Sequence, residues 1–444
     1  MKRWMKAAAA CVLVGLVAAP QLASAYKVND QIEVGLDLRW RGVCFDNLWD
    51  FDDDNNVDSW TFHRARSRIW ADLSPLPNLH GYIRLANETR WGQDTEILGD
   101  VGEKSDIFLD NAFIEFKDVF DLPVDFKVGR QDVMYGEGFM FLDGCCQVGS
   151  TSIAFDAAKL TYRGIENTSI DFLIAKPFEN AEKAADDEDV YGIYGRTKVN
   201  DNLGLEPYVL YKNRRAPRTI TAGGSTLFTR PESETLALGI RGTATPIDNL
   251  ACVGEVVYQN REWIPIDESD QPAPSPMPTE DETKDMVGGY LRATYTCGKH
   301  EWRPRVWGEY VYLPTHWDSM YAEWPKYSEL LIYTLYDGFQ PFTGANDPDE
   351  GSWVNMRIYS AGVGCTPRAN TDLSLTYRKL VAIQSNGPDG DELGRGDLVA
   401  ALAKHSFNEY LSAHALLEWF CPGDYYGSEA DAAYFARFEL YFRY

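Results

Sequence analysis

The sequence lacks an excess of positive charge. Its 444 residues contain 42 Lys and Arg against 67 Asp and Glu, which gives a formal net charge of −25, and no block of basic residues stands anywhere in the chain. Nucleic acids are bound through clustered Lys and Arg that neutralise phosphates. The composition therefore excludes a nucleic-acid partner.

The sequence also lacks a long apolar run beyond its first 25 residues. Within them, three basic residues precede an apolar stretch over 7–19 and the small residues Ala23-Ser24-Ala25, which is the pattern of a secretory signal peptide. We predict that residues 1–25 are removed and that 26–444 form the mature protein. No later window has the ~18 apolar residues of a membrane helix. The exported chain is then soluble in the periplasm, secreted, or an outer-membrane β-barrel.

Histidine is scarce, with 6 residues, and the chain has no nucleophile elbow, phosphate-binding loop or H-E-x-x-H motif. His414 and Glu418 share one face of a predicted strand, but about 13 Å of strand separates them, which is too far for a general-base pair. The sequence therefore predicts no enzyme. An outer-membrane hydrolase that depends on His316, Asp318 or Ser319 is the minor alternative.

Side chains alternate between apolar and charged along the segment 434–444. The even positions are Tyr, Ala, Phe, Leu, Phe and Tyr, and the odd ones include Arg437, Glu439 and Arg443. Because successive side chains of a strand point to opposite faces, one face is apolar and the other is charged. Eighteen segments of this length follow one another from residue 32 to residue 444, although 168–176 and 353–364 alternate poorly. We predict an all-β fold, a single transmembrane antiparallel β-barrel of 18 strands, with 16 as the alternative.

The spacers between these segments alternate strictly between short and long. Short spacers such as 74–78 and 200–202 follow long ones such as 42–59 and 177–188. Outer-membrane barrels have short periplasmic turns and long extracellular loops. The pattern predicts this topology and places the protein in the outer membrane of a Gram-negative bacterium, in contact with membrane lipid and lipopolysaccharide.

Four stretches of the chain stand out as motifs: Gly129-Arg130-Gln131 with Tyr135-Gly136-Glu137-Gly138, Phe155-Asp156-Ala157-Ala158-Lys159-Leu160, Pro304-Arg305-Val306 and Phe420-Cys421-Pro422-Gly423-Asp424-Tyr425-Tyr426. They resemble signature stretches of the alginate export family of outer-membrane proteins. The resemblance implies a monomeric 18-stranded barrel whose Arg-rich lumen passes anionic polysaccharide. Many members of the family are porin-like proteins of unproven cargo, and fold carries over between relatives more safely than cargo does.

Arginines recur on the charged faces of the predicted strands. The densest cluster is Arg64-x-Arg66-x-Arg68 on one face of one strand, and close guanidinium groups in a confined pore favour a passing anion. We predict the following pore-lining residues: Arg39, Arg41, Arg64, Arg66, Arg68, Arg84, Arg90, Arg305 and Arg357. Acids share these faces, so the alternative is that cross-strand Arg–Glu pairs stiffen the barrel.

These features predict passive passage of anionic solutes or of an alginate-like anionic polysaccharide. A general diffusion porin for small solutes is the alternative. A partner in the periplasm is a further candidate, and the oligomeric state expected from the resemblance is a monomer.

The acidic charge concentrates in the predicted outer loops. Residues 46–58 contain six Asp and no Lys or Arg. Alternate oxygens suit Ca²⁺, so a calcium site in the first outer loop is one hypothesis, with the ligands Asp52, Asp54, Asn56 and Asp58. The segment lacks the Gly and Glu of an EF-hand loop at positions six and twelve, where Val57 and His63 stand. The alternative is a solvated acidic rim, and no other cofactor is predicted.

Seven cysteines remain after removal of residues 1–25, an odd number that leaves at least one thiol unpaired. One or two disulfides fit the predicted topology, and their pairing stays open.

Overall fold

A computed structural model of the chain describes most of the mature protein. The described residues are 26–47, 51–54, 59–92, 106–142, 154–177, 188–215, 218–222, 225–230, 232–264, 282–322, 327–331, 353–385, 393–427 and 429–444. The predicted signal peptide, residues 1–25, lies outside them. No helix in these ranges is both long and apolar enough to cross a membrane.

The described chain forms strands joined by turns and loops. Their bounds are β1 (Tyr26–Asn29), β2 (Ile32–Asp46), β3 (Trp60–Leu76), β4 (Leu79–Gly92), β5 (Phe108–Phe116), β6 (Val124–Gln131), β7 (Phe155–Ile165), β8 (Thr168–Pro177), β9 (Glu188–Asn200), β10 (Leu203–Arg214), β11 (Arg218–Ala222), β12 (Ser225–Arg230), β13 (Glu232–Ile247), β14 (Leu250–Ile264), β15 (Glu282–Thr296), β16 (Arg305–Leu313), β17 (Met356–Arg368), β18 (Thr371–Val381), β19 (Gly394–Ser406), β20 (Leu411–Pro422) and β21 (Ala433–Arg443).

Eighteen of these strands, β2–β10 and β13–β21, close into one antiparallel barrel. Each pairs with the next barrel strand along the chain, and β21 pairs with β2 from Asp37↔Arg443 to Asp46↔Tyr434. The predicted count of 18 is confirmed, and the alternative of 16 is wrong. The two poorly alternating segments form β8 and β17. The short strand β1 pairs with β2, and β11 and β12 form a separate hairpin.

The two faces of the barrel wall differ as the alternation predicts. Large apolar side chains are exposed on the outer face, for example Ile69 at 58%, Val256 at 56% and Leu291 at 61%. This is the face that meets lipid in a transmembrane barrel. The residues that precede Ile69 and Val256 point to the inner face instead. They are Arg68, which is 5% exposed, and Glu255, which is 4% exposed. A charged inner surface and an apolar outer belt therefore share the same strands.

Two loop segments fold into the lumen. Inner segment A is residues 132–142, between β6 and β7, and inner segment B is residues 314–322 and 327–331, between β16 and β17. They meet through backbone hydrogen bonds, in which Leu142 N–H donates to Tyr321 O at 2.7 Å and Tyr321 N–H to Met140 O at 3.0 Å. Aromatic side chains of both segments pack against the wall. Tyr135 stacks on Tyr194 of β9 at 4.1 Å, and Phe139 contacts Tyr290 of β15 at 5.1 Å.

A glycine lies near the end of β6, two residues before the strand ends and inner segment A begins. Gly129 has φ +122°, and a Cβ there would lie 2.3 Å from the carbonyl oxygen of Ala112, so only glycine fits. Arg130 shares the outer face with Val128, because the register of β6 is regular here, and it pairs with Asp156 at 2.8 Å. Gln131 follows, fully buried, and leads into inner segment A.

Candidate functional site: a basic wall of the lumen

The inner face of β2, β3 and β4 carries arginines in direct register. Arg39 lies opposite Arg66, and Arg41 lies opposite Arg64 on the neighbouring strand. Arg64 in turn lies opposite Arg90 of β4. Like charges directly opposite one another destabilise a sheet unless a counter-charge is present. These residues, with Arg68 and Arg84, are called the basic wall below.

Carboxylates lie between the guanidinium groups of the basic wall. Asp37 accepts hydrogen bonds from Arg68 at 2.8 Å and from Arg66 at 3.4 Å. Glu88 is 3.0 Å from Arg64 and 3.5 Å from Arg90. The cross-strand pairs of the alternative interpretation are therefore present in the structure.

Glu439 of β21 completes this network across the closure of the barrel. It forms an ion pair with Arg41 and lies 3.8 Å from Arg39. Because β21 and β2 are the strands that close the barrel, this carboxylate also ties the two ends of the sheet together.

The pairing does not cancel the charge of these three strands. Seven inward arginines face four inward carboxylates, Glu33, Asp37, Asp72 and Glu88, so the local excess is three positive charges before neighbouring strands are counted. Most of the basic wall is buried, with Arg39 3% and Arg66 2% exposed. The side chains of Arg64 and Arg90 are 12% and 27% exposed. These two present their charge most directly to the lumen.

Arg84 connects the basic wall to inner segment A. It donates to Asp110 of β5 at 2.5 Å and to Asp132, the first residue of inner segment A, at 3.0 Å. Asn111 also donates to Asp132 at 2.7 Å. The contacts fix the point where the inner segment leaves the wall.

The other two predicted pore residues lie elsewhere. Arg305 points inward at the short-turn end of β16. Its guanidinium forms a bidentate ion pair with Asp372, and each of the two hydrogen bonds is 2.7 Å long. Arg357 was predicted on the inner face, and that prediction is wrong. Its neighbours Met356 and Ile358 are fully buried while Tyr359 is 47% exposed, so the inner face of β17 carries the even positions and Arg357 points outward. In β17, Ile358 and small residues face the lumen and the charged Arg357 faces outward. In the usual pattern, charged residues face the lumen and apolar residues face outward.

Sequence reasoning missed the polar contacts that hold the inner segments. Glu137 of inner segment A accepts two bonds from Arg292 at 2.6 and 2.8 Å and lies 3.5 Å from Arg241. The available signal was the apolar run Phe139-Met140-Phe141 beside it, which is out of place in a solvated outer loop.

Asp318 of inner segment B is held in the same way. It accepts from Lys212 Nζ at 2.6 Å and from Thr235 Oγ1 at 2.8 Å. Burial alone would raise the pKa of Asp318, but the positive charges of Lys212, Arg261 and Arg214 hold it well below its ordinary value. The carboxylate thus serves as an anchor between inner segment B and the wall.

The candidate calcium ligands are only partly described. Asp54 N–H donates to Asp52 Oδ1 at 3.0 Å, while Asn56 and Asp58 lie outside the described residues. The nearby Asp431 and the other acids of this loop raise the pKa of Asp53, which reflects a local concentration of negative charge. Within the described ranges, no three His, Cys, Asp or Glu side chains are arranged to hold a metal ion. Calcium at this position stays a prediction.

Five cysteines are described, and all five are free thiols: Cys44, Cys252, Cys297, Cys365 and Cys421. Cys145 and Cys146 lie outside the described residues.

Comparisons with known proteins agree with this architecture. The family model described as Alginate export matches residues 30–381. A search of curated proteins finds no match. The fold is similar to that of Acinetobacter baumannii OccAB1, with 9% identity, 96% of this chain and 99% of that chain covered, and a TM-score of 0.61.

Two further solved structures have the same fold. A BenF-like porin from Pseudomonas fluorescens is 8% identical over 93% of this chain and 98% of that chain, with a TM-score of 0.55. Pseudomonas aeruginosa OpdK, crystallised with vanillate, is 8% identical over the same shares of both chains, with a TM-score of 0.54. At these identities the likeness concerns the fold alone.

Proposed function

The chain belongs to the alginate export family and is an outer-membrane channel-type barrel, and from that premise we propose that it conducts anions passively through its lumen. The observation that carries the proposal is the basic wall, where Arg39, Arg41, Arg64 and Arg66 lie opposite one another on β2 and β3. Such a wall raises the local concentration of anions, because low-dielectric surroundings focus its field.

The proposed cargo is a small carboxylate or an anionic polysaccharide of the alginate type. The family supports the polysaccharide, and OpdK, a protein of similar fold, was crystallised with the carboxylate vanillate. We propose that the protein acts as a monomer surrounded by lipid and lipopolysaccharide. The channel-type family and fold favour transport over catalysis.

A general diffusion porin is the second candidate, and the ion pairs favour it. Asp37, Glu88 and Glu439 each contact two arginines. If these carboxylates neutralise the wall as the solute sees it, the pore passes small solutes with little regard to sign.

Single-channel recording in planar bilayers with a KCl gradient separates the two candidates. We expect the wild-type channel to favour Cl⁻, and the triple variant Arg64→Gln, Arg66→Gln, Arg68→Gln to lose most of that preference. The matched control removes three positive charges from the outer face, through Arg130→Gln, Arg357→Gln and Lys379→Gln. This variant should keep the preference for Cl⁻. If the triple variant does not fold, as judged by heat-modifiable migration on a gel, Arg90→Gln replaces it.

Cation preference in the wild type contradicts the anion proposal, and equal permeability favours the general porin. A uronic acid oligomer added to an anion-selective channel should reduce its current. If it does not, a polyuronate cargo is excluded while anion conduction stands.

A further inference from the structure

Tyrosines are grouped on the outer face of β16, β17 and β18, toward the ends of these strands that adjoin the long loops. Tyr310, Tyr359 and Tyr377 are exposed on this face, and the rings of Tyr310 and Tyr359 lie 5.1 Å apart. These three residues are called the tyrosine shelf below. Tyrosine presents an apolar ring and a polar hydroxyl, so it concentrates where acyl chains give way to headgroups. The shelf therefore marks the headgroup level of the outer leaflet.

Two cations lie beyond the tyrosine shelf on the same face. Arg357 is two residues before Tyr359 on β17, and Lys379 is two residues after Tyr377 on β18. Because side chains two residues apart on a strand share a face, both cations point outward with the tyrosines. Each is about 7 Å nearer the long loops than the tyrosine of its own strand. Both cations are thus placed among headgroups.

The two cations are close enough to share one anion. Lys379 lies opposite Tyr359, so Arg357 is its diagonal neighbour on β17. Diagonal neighbours on one face of an antiparallel pair are about 7–8 Å apart, which long side chains span. A single phosphate group between them can accept hydrogen bonds from the guanidinium and from the ammonium together.

Other outward-facing cations at the long-loop ends of the strands are held by close carboxylates. Arg130 donates two hydrogen bonds to Asp156, at 2.8 and 2.9 Å. Lys176 of β8 lies 3.2 Å from Asp189 of β9. These contacts leave the two cations less available to a ligand.

Arg357 and Lys379 are held less closely. Within the described ranges, Arg357 forms no ion pair with a carboxylate. Lys379 is 3.9 Å from Asp397, and the two side chains are 56% and 44% exposed. Asp397 also accepts a hydrogen bond from the hydroxyl of Tyr377. The pair of cations therefore keeps an excess of positive charge on this part of the outer face.

We infer that Arg357 and Lys379 bind a phosphate group of lipid A, the phosphorylated glycolipid of lipopolysaccharide, above the tyrosine shelf. The acyl chains of the lipid then follow the apolar face below the shelf, where the exposed Val363 and Leu375 lie opposite each other. Cations at this depth attract anionic lipids, and the ring faces of the shelf suit the boundary between sugar and acyl chain. The inference rests on the proposed surroundings of lipopolysaccharide and gives this lipid a site on the barrel.

Native mass spectrometry of the full-length protein in detergent measures the affinity for added lipid. The probe is diphosphoryl lipid A, and lipid A without its phosphates is the ligand control. We expect the wild type to bind the phosphorylated lipid at least tenfold more tightly than the control lipid. The double variant Arg357→Gln, Lys379→Gln should lose that difference.

The matched variant is Arg130→Gln, Lys176→Gln, which removes two positive charges from the same face at the same ends of the strands. It should bind diphosphoryl lipid A within twofold of the wild type, because it retains both cations of the site. An equal loss in this variant would show a general attraction to outward charge and contradict the inference.

Equal affinity of the double variant and the wild type for diphosphoryl lipid A overturns the inference, and so does a wild type that does not distinguish the two lipids. Displacement of the lipid by an equal concentration of inorganic phosphate would assign the cations to the free ion and overturn the choice of lipid. If the double variant does not fold, Lys379→Gln alone is used, because its side chain is 56% exposed, and an at least threefold loss of affinity is expected. The Cl⁻ preference in bilayers without lipid A reports separately on anion conduction.

Discussion

Asp37 holds two guanidinium groups of the basic wall. Its side chain is 5% exposed, and it contacts Arg66 and Arg68. Removing one partner from a buried ionic group leaves the other charges without compensation, which costs far more than losing a pair at the surface.

We therefore expect Asp37→Asn to lower the free energy of unfolding by about 3 to 5 kcal/mol. Asp156→Asn should cost less than about 1 kcal/mol, because the Asp156 side chain is 51% exposed in its pair with Arg130. Unfolding in urea from lipid vesicles measures both. Equal losses in the two variants would show that the buried network does not stabilise the barrel.

Single residues also show where alternation stops being informative. The prediction for Arg39, Arg66 and their neighbours placed them correctly on the inner face, because long strands with strict alternation leave no other register. Arg357 was misplaced because glycine, serine and isoleucine face the lumen of β17, so the charged residue no longer marks the inside.

At the scale of elements, inner segment B depends on the anchor between Asp318 and Lys212. A carboxylate whose pKa is held below its ordinary value keeps its stabilising charge above that ordinary value and loses it only as the pH falls through the lowered one. The anchor should therefore persist from pH 8 down to pH 5.

Hydrogen exchange of residues 314–322, corrected for intrinsic rates, tests this. We expect the same protection at pH 7.5 and pH 5 in the wild type, and at least tenfold less at both in Asp318→Asn. The same substitution at Asp397, which contacts Tyr377 and Lys379, should leave the segment protected. A wild type that loses protection between these two pH values would show that another group holds the segment.

The strands were predictable and the inner segments were not. Side chains that alternate between apolar and polar identify the two faces of a strand. The lengths of the turns indicate which strands pair with each other. Inner segment A has no such period, and its position depends on partners far away in sequence, such as Tyr194 and Arg292. Only its apolar run hinted at burial.

At the scale of the whole molecule, the net charge of −25 has the opposite sign to the basic wall. Net charge describes solubility and long-range attraction, whereas a pore responds to the charges nearest its path. The net charge hides the arginines of the lumen behind the more numerous acidic residues, as the mean hydropathy of −0.35 hides the apolar belt behind the polar interior.

A field set by the basic wall should be screened by salt. The Debye length falls from about 10 Å at 0.1 M to about 3 Å at 1 M. We expect the Cl⁻ preference in bilayer recordings to decline several-fold across this range. The outer-face control variant should follow the wild type at each concentration. If the preference for Cl⁻ stays constant with salt, direct contacts between the ion and the pore at a constriction select the anion, and the long-range field of the basic wall does not.

The closure between β2 and β21 has a consequence for assembly. Arg41 and Glu439 are 398 positions apart, and their strands pair only when every intervening hairpin is in place. Until then the growing sheet has two open edges that can pair with other chains, and loops of this length form slowly. The ion pair between Arg41 and Glu439 therefore forms only in a complete barrel. A chain shortened before β21 remains an open sheet, which can aggregate and can be cleaved by proteases of the cell envelope.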